Sequence, residues 1–315
     1  MTELTRVLNA MRRRIVIPCL YDRPAEHRNA VFLAGTARSG TTWVSEILNY
    51  RNEFRTIFEP FNPTKVPAME RFGIRRYLRP DEEDVELRDI ADRVVSGRIH
   101  SNWTNRFNRR LFANRRLIKD VRANLMLKWL HNHFPCMPII LLLRHPCAVV
   151  HSYRKQGWYG ALEPLLSQQR LVADFLSPHE QAIRRARTPL ERAAYIWCIE
   201  TMVPLKQFKP GEIHLVFYEN VVVDGTNEIE RLFSFIGNTY DPNIIAKVAR
   251  PSPTSRRSGA TSGARNPIES WRREIDSVEE RRILEIVRSF GLDAIYSGDP
   301  MPDPGGVAAI MGAAR

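Results

Sequence analysis

Residues 138–143 constrain the fold more than any other segment, because isoleucines and leucines follow Pro138 without leaving a polar face. A strand of this kind is buried on both sides, as in a parallel sheet whose two faces are covered by helices. A second apolar run, residues 30–34, ends in Gly35 and precedes helical apolar spacing over residues 42–50. Strands that alternate with helices predict an α/β fold with a central, mostly parallel sheet flanked by helices.

The remaining pattern predicts further strands and helices in the same alternation. Strands are expected at residues 54–58 and 213–218, with a brief strand end at 117–119. Helices are expected at 68–79, 82–97, 123–133, from Pro146 onward, at 190–208 with an interruption near Pro204, and at 225–236, 242–249 and 278–290.

At about 150 residues per domain, 315 residues suggest two domains or one α/β unit with insertions. We predict a single domain over residues 30–298, preceded by an N-terminal arm of residues 1–29. Residues 299–315 are expected to form a flexible C-terminal tail. The charged segment 64–115 and the proline-punctuated segment 159–190 read as insertions beside the sheet.

Arginine sets the charge of this chain: lysine supplies 7 of the 47 basic residues, and the net charge is +12. These arginines are spread along the sequence, without the basic blocks or signatures of nucleic-acid-binding proteins. The distribution therefore favours small anions, such as nucleotides or acidic substrates, over nucleic acid.

The longest apolar run is far shorter than the roughly 20 residues that a membrane-spanning helix needs. Neither a convincing signal peptide nor metal-ligand spacing of cysteine and histidine is present. We therefore predict a cytoplasmic, metal-free protein. The sequence leaves peripheral membrane contact and the oligomeric state open.

The segment from Gly35 to Thr42 follows a strand and opens a helix, which makes it a phosphate cradle built from backbone N–H groups. Its spacing is that of a P-loop, but Thr41 stands where an ordinary P-loop nucleoside triphosphatase has lysine. Arg38 is the one cation inside the loop.

This segment, continued through Leu48, resembles the 5′-phosphosulfate loop of the sulfotransferases that use 3′-phosphoadenosine 5′-phosphosulfate (PAPS). Cytosolic members usually carry lysine where Arg38 stands, whereas carbohydrate and protein-tyrosine members usually carry arginine. The resemblance implies a P-loop-like sulfotransferase fold and PAPS as the donor. Donor contacts would come from Arg38, Ser39, Gly40, Thr41 and Thr42.

A second motif runs from Leu143 to Ser152, where Arg144 ends a buried strand and Ser152 follows about two helical turns later. It resembles the 3′-phosphate motif of the same family, in which an arginine and a serine hold the phosphate on the ribose. Either residue alone would be ordinary, but the pair, with the first loop, favours a donor with two phosphate sites.

Weaker matches agree with this assignment. The resemblance implies that Trp43 stacks on adenine and that Tyr218, followed by Glu219, lies near it, although core packing also explains an aromatic residue there. In the basic segment before Trp271, Arg265 is the first candidate for a further 3′-phosphate contact. Arg257 is the second, and a solvated basic loop is the alternative.

A catalytic base must lie within hydrogen-bond reach of the acceptor hydroxyl. Glu59 is the best candidate, because it ends the strand at 54–58 and would lie beside the loop if that strand paired with the strand at 30–34. Arginine-type members carry a glutamate base at a similar distance, whereas cytosolic members use a histidine; His131 and His133 are the nearest here.

Lys119, followed by Asp120, resembles the family lysine that faces the bridging oxygen of the donor, and Arg38 would share that duty. Such cations act mainly in the transition state, where charge accumulates on the leaving phosphate. The expected reaction is a metal-free, in-line sulfuryl transfer from PAPS to a hydroxyl.

Small molecules, glycans and lipid headgroups all stay open as acceptors, and the two insertions are expected to build the acceptor site. Two other functions also stay open. A P-loop nucleotide kinase would need a phosphate-binding lysine and a magnesium-holding acid. A non-catalytic polyanion-binding protein of the same fold would show salt-sensitive binding without transfer.

Overall fold

The computed structural model describes residues 21–22, 26–108, 112–158, 160–241, 244 and 268–311. Within these residues strands and helices alternate, as the apolar runs predict. The strands are Tyr21–Asp22 (β1), Ala30–Gly35 (β2), Phe54–Phe58 (β3), Phe112–Ala113 (β4), Arg115–Asp120 (β5), Ile139–Leu143 (β6) and His214–Phe217 (β7).

The described helices cover or flank the strands. They are Thr41–Leu48 (α1), Val85–Val95 (α2), Leu127–His133 (α3), Pro146–Lys155 (α4), Glu163–Leu166 (α5), Gln169–Leu171 (α6), Glu180–Arg184 (α7), Pro189–Gln207 (α8), Tyr218–Val223 (α9), Gly225–Phe235 (α10) and Ser277–Ser289 (α11). Turns of 3₁₀-helix lie at His27–Asn29, Pro67–Phe72, Asn124–Met126, Ser270–Arg273 and Pro304–Val307, and a π-helical turn lies at Val172–Leu176.

Five strands form the central sheet in the order β3-β5-β2-β6-β7, and every neighbouring pair is parallel. The predicted parallel sheet is therefore confirmed. The pairing of the strands at 30–34 and 54–58, on which the predicted place of Glu59 beside the loop is conditional, does not occur, because β5 lies between β2 and β3. The charges of Arg115 and Arg116 break the apolar pattern of β5, which makes this strand hard to predict from the sequence. Arg116 can be buried because its guanidinium donates hydrogen bonds to the carbonyls of Val95 and Glu26.

The sheet separates two apolar clusters, since successive side chains of a strand point to opposite faces. Phe32 and Leu141 belong to the larger cluster, whereas Leu33 and Leu142 belong to the smaller one. α4 and α8 contribute to the larger cluster, and α1 and α10 contribute to the smaller one. Both faces of the central strands are consequently buried.

Three local predictions need correction. The helix expected at 68–79 is only the 3₁₀ turn Pro67–Phe72, because Gly73 and Arg75 both adopt positive φ. α8 continues through Pro204 to Gln207, since the buried packing of its last turns outweighs the hydrogen bond that proline removes. The tail expected from residue 299 is packed as far as residue 311, with Val307 and Ile310 in the larger cluster.

The N-terminal arm also takes part in the structure, because β1 pairs with β4 in a separate two-stranded parallel sheet. The helix expected at 242–249 lies almost entirely outside the described residues. In the described part of the chain, no helix is long and apolar enough to cross a membrane.

Leu141→Ala should lower the free energy of unfolding by about 2–5 kcal/mol, since this side chain is fully buried in β6 and its loss leaves a cavity. Urea unfolding measures the difference. Val278→Ala is the control: this side chain is 66% exposed, so the change should stay within about 0.5 kcal/mol. Equal losses in both variants would contradict the assigned core.

Candidate active site

Each strand of the central sheet leads, at its carboxyl end, into the glycine loop or into a polar or aromatic residue. Gly35 ends β2 and leads into the glycine loop, and Asp120 ends β5. Glu59, Arg144 and Tyr218 directly follow β3, β6 and β7. The carboxyl ends of parallel strands share one edge, which is where open α/β sheets bind ligands. The candidate site is therefore assembled from five separate stretches of chain.

The glycine loop turns from β2 into α1 through two residues at positive φ, Arg38 at 71° and Gly40 at 103°. The buried hydroxyl of Ser39 donates to the Thr36 carbonyl over 2.6 Å and closes the turn. No described side chain caps α1, and its first turn, with Thr41 and Thr42, contains no acidic residue. The N-terminal amide groups of α1 thus suit an anion.

The loop and the strand-end arginine motif contact each other directly. Arg38 Nε donates to Ser152 Oγ over 2.9 Å, and a terminal nitrogen of Arg144 donates to the Arg38 carbonyl over 3.2 Å. The buried Nε of Arg144 has no hydrogen-bond partner among the described residues. Burial, followed by the like charge of Arg144, lowers the pKa of Arg38. In the described part of the chain, neither guanidinium forms an ion pair with a carboxylate, so these two neighbouring cations fit a ligand with several negative charges.

Aromatic rings complete this side of the site. The Arg144 guanidinium lies 4.0 Å from the centre of the Tyr218 ring, and the Trp43 ring lies 5.2 Å from the same ring. Trp43 is buried in the smaller cluster, so its role at adenine stays a prediction. The buried Glu219 carboxylate accepts from the His145 backbone and the Tyr296 hydroxyl, both over 2.9 Å, and thereby fixes the backbone beside Arg144.

Glu59 and Lys119 meet across the β3–β5 pair. Lys119 Nζ lies 2.8 Å from Glu59 Oε1, and the Glu59 backbone N–H donates to the Lys119 carbonyl over 2.7 Å. Glu59 adopts a φ of 41°, and the Trp103 indole donates to its carbonyl over 3.2 Å. The backbone on both sides of the carboxylate is therefore held in place.

The charges of this pair are strongly coupled. Burial alone raises the pKa of Glu59, but the charges and hydrogen bonds of Lys119 and Arg122 outweigh it, and the pKa lies below its ordinary value. Burial lowers the pKa of Lys119, and Glu59 opposes that shift. Burial also raises the pKa of Asp120 to about 6, although Phe61 and Arg122 donate backbone hydrogen bonds to its carboxylate. Glu59 is consequently ionised at neutral pH.

Other sequence candidates lie away from these groups. His131 packs against Phe208, and the His133 ring contacts the Trp129 carbonyl of its own helix. Arg257 and Arg265 lie outside the described residues. Within the described ranges, no three or more histidine, cysteine, aspartate or glutamate residues form a group that could hold a metal ion.

Comparison with known proteins identifies the family. Residues 30–242, well over half of the chain, match the sulfotransferase family. The chain belongs to that family. The resemblance to the sulfotransferases that the two motifs indicate is therefore confirmed.

One curated relative is nodulation protein NoeE of Sinorhizobium fredii, which is 26% identical to this sulfotransferase over 277 residues. The aligned region covers 81% of this chain and 63% of that protein, so the sulfotransferase spans less than two thirds of its relative.

Two solved structures are also similar. The sulfotransferase domain from the curacin biosynthetic pathway has 15% identity and a TM-score of 0.45, with 86% of this chain and 98% of that chain covered. Mouse sulfotransferase SULT7A1, complexed with PAP, has 13% identity and a TM-score of 0.42, with 90% and 91% covered.

Sequence reasoning did not predict several ion pairs of charged residues in this region. Arg122 binds Glu59 Oε2 over 2.8 Å, and its position two residues after Asp120 was the available signal. Arg75 pairs with the buried Glu200 of α8 and approaches the Tyr153 hydroxyl at 3.4 Å. No local pattern joins residues 75 and 200, because 125 positions separate them.

Gly40→Ala should destabilise this sulfotransferase by more than the about 1–2 kcal/mol of a positive φ alone, because the new Cβ would lie 2.7 Å from the Tyr218 ring. Urea unfolding measures this loss of stability. In the double variant with Gly40→Ala and Tyr218→Ala, the part of the loss that comes from the contact with the Tyr218 ring should disappear. Gly291→Ala is the matched control, since Gly291 has a φ of 69° and nothing within 4 Å of the added Cβ. Equal losses at both glycines would contradict the close approach.

Proposed function

We propose that this sulfotransferase moves a sulfuryl group from PAPS to a hydroxyl on a glycan, a lipid headgroup or a small metabolite. One observation carries the proposal. A helix N-terminus that no described side chain caps, two neighbouring arginines and a carboxylate–lysine pair converge at the carboxyl edge of one sheet. This combination supplies two anion sites and a base in the same place.

The donor contacts follow from the cations that form no ion pair with a carboxylate among the residues that the structure describes. The amide groups at the start of α1, with Arg38, would hold the 5′-phosphosulfate. Arg144 and Ser152 would hold the 3′-phosphate; the unpartnered buried Nε of Arg144 fits a group that brings its own acceptor oxygens.

The reaction would proceed by in-line displacement. Glu59 takes the proton of the acceptor hydroxyl as the oxygen–sulfur bond forms. The bond between sulfur and the bridging oxygen breaks, and its electron pair goes to the 5′-phosphate. Lys119 and Arg38 counter the charge that accumulates there. The lowered pKa of Glu59 keeps this base ionised at neutral pH.

The donor is tested by thermal shift with 3′-phosphoadenosine 5′-phosphate, AMP, and ATP plus magnesium. A ligand at 100 times its dissociation constant adds about 2.7 kcal/mol, so the bisphosphate alone should raise the melting temperature by several degrees. Arg144→Ala should weaken binding of the bisphosphate by roughly 10–100-fold, since a hydrogen bond to a charged group contributes about 1.5–3 kcal/mol. Binding of AMP, which has no 3′-phosphate, should weaken much less.

Arg184→Ala is the control for that loss of charge, because Arg184 pairs with Glu180 on the surface of α7. It should leave both nucleotides unaffected. A rise in melting temperature only with ATP plus magnesium would contradict the proposal and favour a kinase. Absence of any shift would favour a non-catalytic polyanion-binding protein.

Glu59→Gln should lower sulfuryl transfer by about 10²–10⁴-fold while the bisphosphate still binds, because glutamine keeps the shape but cannot accept the proton. Transfer of radiolabelled sulfate to a panel of hydroxyl acceptors measures the change. Glu53→Gln is the control, since Glu53 has an exposed side chain 3.9 Å from Arg51. Unchanged transfer, or loss of nucleotide binding, would remove Glu59 from the role of base.

A further inference from the structure

Two cations bind the two oxygens of one carboxylate. Lys119 Nζ lies 2.8 Å from Glu59 Oε1, and a terminal nitrogen of Arg122 lies 2.8 Å from Oε2. Only 12% of the Glu59 side chain is exposed, against 3% for Lys119 and 27% for Arg122. Each cation disfavours the protonated carboxyl. Proton uptake by Glu59 therefore becomes easier when one of the two ion pairs opens.

The two cations lie at the same distance from Glu59 but differ in their chemistry. Lys119 is a flexible amine with three equivalent donors, and burial lowers its pKa. Arg122 carries a permanent, planar charge. Its backbone N–H is held by Asp120 Oδ1 over 2.6 Å, which fixes the start of the side chain. Of the two, Lys119 is the partner suited to exchange.

We propose that Arg122 is a positioning residue that holds Glu59 through Oε2 while Lys119 moves from Glu59 to the leaving phosphate of the donor. The inference rests on the proposed function. Glu59 Oε1, released by Lys119, then takes the proton of the acceptor hydroxyl. The acceptor oxygen bonds to sulfur, the bridging bond breaks, and its electron pair remains on the phosphate beside Lys119.

The groups around Glu59 fix the sign of the expected pH effect. Lys119 and Arg122 lower the pKa of Glu59. The negative charge of Glu59 in turn contributes to the raised pKa of the nearby Asp120 carboxyl. Glu200 of α8 and Tyr153 of α4 also lie within the field of Arg122. An opposite charge at this range lowers a carboxyl pKa by about 1–3 units, so removal of Arg122 should raise the pKa of Glu59 by a similar amount.

Carbon-13 NMR of the full chain, labelled at the glutamate carboxyl, measures that pKa without an acceptor or turnover. Glu59→Gln assigns the resonance, and the glutamate label leaves out Asp120, whose pKa of about 6 would overlap. Arg122→Gln should raise the pKa of Glu59 by about 1–3 units. Arg122→Lys should restore part of the shift, and Arg184→Gln, which removes a surface pair, should change nothing.

The exchange of Lys119 is tested by repeating the titration with 3′-phosphoadenosine 5′-phosphate, whose 5′-phosphate carries the charge of the leaving group. The pKa of Glu59 should rise in the wild type and rise less in Lys119→Met, where no lysine is left to move. The difference between wild type and Arg122→Gln should persist with the nucleotide bound.

Three results would overturn the inference. An unchanged pKa in Arg122→Gln would remove Arg122 as the counter-ion. A difference that disappears on nucleotide binding would make Arg122, and not Lys119, the group that leaves. An equal rise in the wild type and Lys119→Met would show that Lys119 stays on Glu59. Failure of the proposed function is distinct, because the nucleotide would then neither bind nor move the wild-type resonance.

Discussion

A parallel sheet that is buried on both faces confines its free polar groups to the ends of its strands. Along β2 and β6 every side chain is buried, and the two apolar clusters leave no room for an uncompensated charge. Charged side chains within the sheet are tolerated only with partners, as for Arg55 of β3, which donates to the carbonyls of Gly97 and Ile99. Groups that must meet a ligand therefore collect at the carboxyl edge.

The order of the strands decides which of these groups become neighbours. Because β5 lies between β2 and β3, Lys119 is in register with Leu33 of β2 on one side and with Phe58 of β3 on the other. Its amine thus lies next to Glu59 on one side, while its strand adjoins the strand that opens the glycine loop. A lysine in the central position can serve either neighbour, which direct pairing of β2 with β3 would have prevented.

The candidate site residues that can be predicted from the sequence are those with a local sequence signal. The glycine loop, Glu59 and Arg144 each follow a short apolar strand, and the parallel sheet gathers them at one edge. β5 is harder to find, because Arg115 and Arg116 break its apolar pattern. The ion pair between Arg122 and Glu59 joins positions 63 residues apart, and the ion pair between Arg75 and Glu200 joins positions 125 residues apart. Local sequence periodicity therefore predicts neither of them.

The hydrogen bond from Arg38 to Ser152 links the glycine loop to the strand-end arginine motif. Both residues lie in motifs that the sequence assigns to different phosphates, yet the arginine of the loop contacts the serine of α4, and Arg144 contacts the carbonyl of Arg38. Repulsion between the two guanidinium groups opposes this arrangement, and burial of Arg38 adds to the cost. A ligand with phosphates at both ends would neutralise the two cations together, so the arrangement favours such a ligand over one with a single phosphate.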